Sequence, residues 1–134
     1  METLAVLFDK PESVGLRSVV LEDPPDDALV VETEWSGIST GTERLLFTGR
    51  MPPFPGLGYP LVPGYESVGR VVRAPRGGAY REGERVFVPG ATCYRDVRGL
   101  FGGAAARLIC DPGRARRLDP RVAAFADAHA EQGV

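Results

Sequence analysis

The chain has 134 residues, enough for one domain that buries its own core. With 43% hydrophobic residues, 25% charged and a formal net charge of −2, its composition fits neither a disordered nor a membrane-embedded chain. Apolar runs such as residues 4–8 are far too short to span a bilayer, and Met1-Glu2-Thr3 begins no basic targeting segment. The expectation is a cytoplasmic protein without a membrane span.

Glycine and proline, 17 and 12 of them, punctuate the whole chain and leave room only for short elements, which favours β structure. In chain order, strands are predicted over residues 4–8, 14–21 and 29–35, several of the predicted strands being rich in Val, Ile or aromatic residues. Thr40-Gly41-Thr42-Glu43 then offers hydroxyl caps and a first-turn acid ahead of Arg44-Leu45-Leu46-Phe47, so a short helix should begin there and end by Gly49. Met51 to Pro60 is too rich in proline and glycine for a regular element. So apolar a loop either packs on the body of the protein or lines a pocket for a flat apolar ligand, with Phe54 and Tyr59 as contacts.

Further strands are predicted over residues 67–73, 85–88 and 105–109. Asp119-Pro120 ahead of an alanine-rich run reads as the start of a second helix. Short strands at close spacing suggest a barrel or sandwich. Residues 1–118 are read as one domain and residues 119–134 as the start of a linking helix.

Charge is unevenly spread. Residues 1–69 carry 11 acids and 4 bases, and residues 70–121 carry 12 bases and 5 acids. The arginines are scattered over several strands without interleaved aromatics, so no nucleic-acid surface is expected. Cys93 and Cys110, the only cysteines, read as reduced packing residues and cannot form a four-cysteine zinc site.

Two segments carry the chemistry: Trp35-Ser36-Gly37-Ile38-Ser39-Thr40-Gly41-Thr42-Glu43 and Pro60-Leu61-Val62-Pro63-Gly64-Tyr65-Glu66-Ser67-Val68-Gly69. Together they resemble the Gly-Ile-Cys-Gly-Thr-Asp and Pro-Gly-His-Glu signatures of the medium-chain dehydrogenase superfamily. Arg81-Glu82-Gly83-Glu84-Arg85-Val86 and Gly102-Gly103-Ala104-Ala105-Ala106 resemble two later signatures in the right order. The run from Gly49 to Val72, with Val97 to Leu108, is similar within that superfamily to the bacteriochlorophyllide dehydrogenases of bacteriochlorophyll synthesis. The resemblance implies a mainly β, GroES-like, partly open barrel with short helices. It also implies oxidation of a tetrapyrrole's hydroxyethyl side chain to acetyl, with NAD as hydride acceptor.

In zinc-dependent relatives the cysteine and histidine of these signatures hold a catalytic zinc. Here Ser39 or Thr40 stands at the cysteine position and Tyr65 at the histidine position, and neutral hydroxyls are poor zinc ligands. The lobe carrying a structural zinc in many relatives is missing, and His129 is the single histidine. No zinc is expected. Thr42 matches the proton-relaying threonine. Tyr65 is a second candidate for proton transfer, Glu66 or Glu43 a group that tunes it, and Glu66 alternatively a structural strap. Ser39 and Thr40 are candidates for the same chemistry or simply for capping the helix. Arg44 and Arg50 could hold a pigment propionate, and Trp35 reads as a packed anchor.

No Gly-x-Gly-x-x-Gly turn between a strand and a helix is present, so the nucleotide-binding domain of full relatives is expected to be missing from this chain, which alone should be inactive. The alternatives are a zinc-free member of the superfamily acting on a sugar, polyol or quinone, and a non-catalytic GroES-like interaction or pigment-binding module.

Overall fold

Alternating burial along Glu2–Lys10 makes the first strand, β1, in a computed structural model that describes residues 1–121. Ala5 and Leu7 turn inward, Leu4 turns outward, and the strand pairs antiparallel with β2 (Ser13–Val20). The second sheet has the order β6-β3-β4-β5-β7. It is built from β3 (Leu29–Ser36), β4 (Ser67–Arg73), β5 (Arg85–Val88), β6 (Arg107–Cys110) and β7 (Arg116–Arg117). Every pairing is antiparallel. A single helix, α1 (Thr40–Thr48), stands among the described residues between β3 and β4.

The two sheets face each other without closing into a continuous barrel. Isolated bridges tie them at Ala5 and Ala105, Phe8 and Leu61, and Leu21 and Tyr94. Leu21, Leu29, Val31, Val62, Val71, Val86, Val88 and Leu108 fill the space between them, each at most 1% exposed. Burying a side chain of this size contributes about 1.5–3 kcal/mol. A smaller cluster of Phe8, Leu46 and Leu61 lies under α1, with Phe47, Met51, Leu57 and Tyr59 packed on it. The proline-rich loop therefore packs on the body of the protein through Met51, Leu57 and Tyr59.

The predicted strand at residues 105–109 is displaced to Arg107–Cys110. Residues 104–106 bond first to β1, through the Val6 amide to the Ala104 carbonyl and the Ala106 amide to the Leu4 carbonyl. At Ala106, whose carbonyl accepts from the Thr33 amide at 2.9 Å, the chain turns to β3, and from Arg107 it pairs with that strand. The segment is a corner between sheets. Strand β7 has no counterpart among the predicted strands because Arg116-Arg117 carries no apolar residue; β5 pairing, the Arg117–Glu84 ion pair and the Arg117 guanidinium over the Tyr80 ring secure it.

The uneven charge is absorbed inside the second sheet. Arg70 and Arg85 pair with Glu34 at 3.6 and 2.9 Å, and Arg107 pairs with Glu32 at 3.9 Å. Antiparallel pairing thus sets the acidic first half against the basic second half. At the predicted start of the second helix, Asp119 Oδ1 accepts from the Arg121 amide at 2.8 Å, the bond a capping aspartate makes. The rest of that helix and His129 fall outside the described residues. Among those residues, no helix is long and apolar enough to cross a membrane.

Candidate functional site

Helix α1 ends as its glycine requires. Gly49 takes a left-handed φ of 77°, and the Gly49 and Arg50 amides return to the Leu46 and Leu45 carbonyls, closing the last turn. The start differs from expectation. Ser39 occupies the cap position with extended backbone, but its hydroxyl makes no capping bond, so the hydroxyl cap predicted from Ser39 and Thr40 is absent there. Its carbonyl accepts the Glu43 amide at 2.9 Å, and its own amide is near enough to the Glu43 carboxylate to favour the charged form.

Between α1, β1 and the end of β3 lies a groove of about 440 Å³. Val6, Phe8, Ile38, Phe47, Pro63 and Ala104 form its apolar walls, and Ser36, Thr40, Glu43 and Arg44 give it a polar side. Phe8 and Phe47 meet edge to face at 5.7 Å, which fixes the helix against β1. A shallower groove, lined by Trp35, Gly37, Glu66 and Phe87, shares Ser36 with it.

The sequence signatures meet in space. The Gly102 amide donates to the Val62 carbonyl at 3.0 Å and the Ala104 amide to the Pro63 carbonyl at 3.0 Å. The Ser67 hydroxyl donates to the Gly103 carbonyl at 2.7 Å, and the buried Tyr94 hydroxyl donates to the Gly102 carbonyl. A Cβ on Gly103 would lie 2.8 Å from both the Gly64 carbonyl oxygen and Ser67 Oγ. The two glycine-bearing signatures are therefore one seam, and bare backbone is what lets them close. The seam carries Tyr65, whose ring meets Phe101 edge-on at 5.9 Å.

Gly37 has a different reason. The Glu66 carboxylate lies where a Cβ on Gly37 would project, and the Gly37 amide donates to the Glu66 carbonyl at 2.9 Å. This notch brings Glu66 close enough to act on Glu43. Burial, the largest influence, raises the Glu43 carboxyl above its ordinary value; the Ser39 amide opposes the rise and the charge of Glu66 adds to it. Glu43 Oε2 is buried without a hydrogen-bond partner.

The sign of the linkage follows. A carboxyl whose folded value is raised favours the protonated fold, so its contribution to stability falls as pH rises from the ordinary value through the raised one. Glu43→Gln is accordingly expected to raise the melting temperature by about 3 °C at pH 8 and to have no such effect at pH 4, as followed by circular dichroism.

The other predicted residues divide. Thr40 and Arg44 line the main groove, and Glu66 lines the shallow one. Thr42, half-buried on the first turn of α1, and Tyr65, 36% exposed on the seam, are not among the residues lining the main groove. The Tyr59 hydroxyl is engaged by the Leu46 carbonyl and Tyr59 packs in the cluster below α1. Phe54 and Arg50 stand outside the groove lining. Trp35 is not the packed anchor expected of it, being 39% exposed at the end of β3. Glu43, read from the sequence mainly as a first-turn acid, is the one charged group whose buried oxygen lacks a partner among the described residues.

Cys93 and Cys110 are buried and free, and burial pushes both thiols up. Among the described residues no three His, Cys, Asp or Glu side chains gather as a metal-holding group. The groove of about 480 Å³ on the second sheet, lined by Glu32, Thr33, Glu34 and Arg70, includes Glu82 and Gly83 of the third signature but no residue of 36–43 or 60–66. Arg70 and Glu34 in it are paired with each other.

A mainly β body of two open sheets, one short helix and the glycine seam define the class. The chain belongs to the alcohol dehydrogenase GroES-like domain family, matching it over residues 25–116. It is 50% identical over 129 residues to the 2-desacetyl-2-hydroxyethyl bacteriochlorophyllide A dehydrogenase of Cereibacter sphaeroides, covering 92% of this chain and 41% of that protein. It is 51% identical over 123 residues to the protein of the same name from Rhodobacter capsulatus, covering 91% of this chain and 39% of that protein. The chain thus spans about two fifths of the length of these curated relatives. Among solved structures, a probable oxidoreductase from Mycobacterium abscessus shares the fold with a TM-score of 0.69 at 23% identity, over 90% of this chain and 36% of that one.

Proposed function

We propose that this chain is the substrate-side domain of a dehydrogenase that oxidises the hydroxyethyl side chain of a bacteriochlorophyllide to acetyl in bacteriochlorophyll synthesis, with NAD as hydride acceptor. The main groove carries the reading. Its apolar walls and single polar side suit one edge of a flat, apolar macrocycle bearing a secondary alcohol, and half of the aligned residues are shared with relatives named for that pigment. Arg44 at the groove is placed to hold a carboxylate such as a propionate.

The residues present do not fit a catalytic zinc. Ser39 or Thr40 and Tyr65 stand at the ligand positions, and neutral hydroxyls hold zinc poorly. The reaction proposed here is zinc-free. Ser36 and Thr40 supply hydroxyls at the groove, and Thr42 on the same helical turn and Tyr65 on the seam are proton-relay candidates that lie outside its lining. When bound, the nicotinamide accepts the hydride; the site for it is not found among the described residues, which carry no glycine-rich turn between a strand and a helix.

Titration of the chain with 3-hydroxyethyl bacteriochlorophyllide a, followed by pigment absorbance and fluorescence, tests the reading. Saturable binding is expected, and Arg44→Ala should weaken it about tenfold. Absence of any spectral response to a tetrapyrrole would overturn the substrate assignment.

A further inference from the structure

We infer that Glu43 is the group that holds the substrate hydroxyl and receives its proton. The inference rests on the function proposed above and names the acceptor at that same groove.

Three observations meet at Glu43. It lines the groove from the first turn of α1. The nearby Ser39 amide favours the charged form of its carboxylate, while Oε2 is buried with no partner among the described residues. An unpartnered buried acceptor costs about 1–3 kcal/mol, a cost that a hydroxyl donor to this carboxylate would relieve. The Glu66 carboxylate, admitted by the notch at Gly37, sets a second negative charge beside it.

The charged groups facing Glu43 are few. Glu66 approaches from the segment before β4 and Arg44 from α1 itself, while β1, the end of β3 and the seam offer Val6, Phe8, Ser36, Ile38, Pro63 and Ala104. Arg44 is free to serve a substrate carboxylate, and burial with the repulsion from Glu66 makes Glu43 a stronger base than a solvated glutamate.

The step balances as a two-electron oxidation. The alcohol O–H bond breaks and its proton passes to the Glu43 carboxylate. The carbon–oxygen bond becomes a carbonyl as the hydrogen on the same carbon leaves as hydride to a nicotinamide acceptor. The acetyl product has no O–H to donate, so a carboxylate at this place also favours alcohol over ketone.

The test uses the 134-residue chain and its Glu43→Gln variant, with folding of each verified by amide NMR. Both are titrated at pH 8 with the hydroxyethyl pigment and with the acetyl pigment. Wild type should bind the hydroxyethyl form about tenfold more tightly, and the variant, whose amide can donate to a ketone, should lose or reverse that preference. The Glu43 carboxyl carbon, followed by NMR, should titrate above the value of a solvated glutamate in the free chain and shift when the hydroxyethyl pigment is added. An unchanged preference in Glu43→Gln, or a Glu43 resonance unmoved by bound pigment, would overturn the role of Glu43 while leaving the substrate assignment standing. If wild type binds neither pigment, the proposed substrate falls. The free-chain titration then decides Glu43 separately, an ordinary carboxylate value overturning its role as a raised, groove-facing base.

Discussion

Gly102→Ala is expected to abolish cooperative folding of the chain. Gly102 has a φ of 59°, in the left-handed region where a Cβ is strained. Space forbids the methyl group as well, because a Cβ there would drive into the Ala91 carbonyl oxygen and lie 2.9 Å from the Gly99 carbonyl oxygen. Both obstacles are backbone, so no rotamer change relieves them. Retreat of residue 102 would strain three bonds of the seam at once: its own amide to Val62, the Tyr94 hydroxyl to its carbonyl, and the Ala91 amide to the Phe101 carbonyl. Tyr94 is buried, its phenol held neutral by desolvation, so losing its acceptor leaves an unpaired hydroxyl in the core. The sum exceeds about 4 kcal/mol, a large share of the stability of a domain this size. Loss of the thermal transition by circular dichroism is the expected result; a variant melting within a few degrees of wild type would show that the seam yields more readily than its geometry implies.

Leu46→Ala should cost about 3 kcal/mol and weaken pigment binding together with stability. Leu46 is the one fully buried residue of α1 and meets Phe8 and Leu61 beneath the helix. Truncation opens a cavity under the element that presents Thr40, Glu43, Arg44 and Phe47 to the groove. The Leu46 carbonyl is also the acceptor for Tyr59, so a shift of the helix would disturb the packed proline-rich loop. Urea denaturation reads the first effect and pigment titration the second. Unchanged affinity alongside the stability loss would mean that the groove does not depend on the seating of α1.

Sequence patterning revealed most of the architecture because the core strands alternate or run apolar: β4 and β5 fall where Ser67-Val68-Gly69-Arg70-Val71-Val72-Arg73 and Arg85-Val86-Phe87-Val88 predict them. The helix was legible from the first-turn acid Glu43, the apolar residues Leu45, Leu46 and Phe47, and the terminating Gly49. What escaped depends on partners distant in the chain. Strand β7 exists through pairing with β5, and nothing in Arg116-Arg117 announces it. The shift of β6 reflects a corner at which Ala104 and Ala106 serve β1 first. In the site, the hydroxyl pattern Ser39-Thr40-Thr42 drew attention to capping and proton relay, whereas Glu43 resembled any acid complementing a helix start. Its orphaned oxygen arises only when β1, β3 and the seam enclose it. The resemblance also marked Gly64, Gly102 and Gly103 as signature residues, but only the structure shows that they close upon one another.

The placement of β3 between β6 and β4 in the second sheet has a consequence for how the chain reaches its fold. Val31 pairs with Val71 on one side and with Leu108 on the other. The hairpin of β1 and β2 can form from neighbouring residues, but the sheet must wait for partners separated by long stretches of chain, which makes for slow folding. During synthesis β3 therefore carries an unpaired edge of Leu29, Val30 and Val31 until β6 has emerged. The nascent chain is most exposed to aggregation in that interval, and the arrival of Arg107–Cys110 ends it.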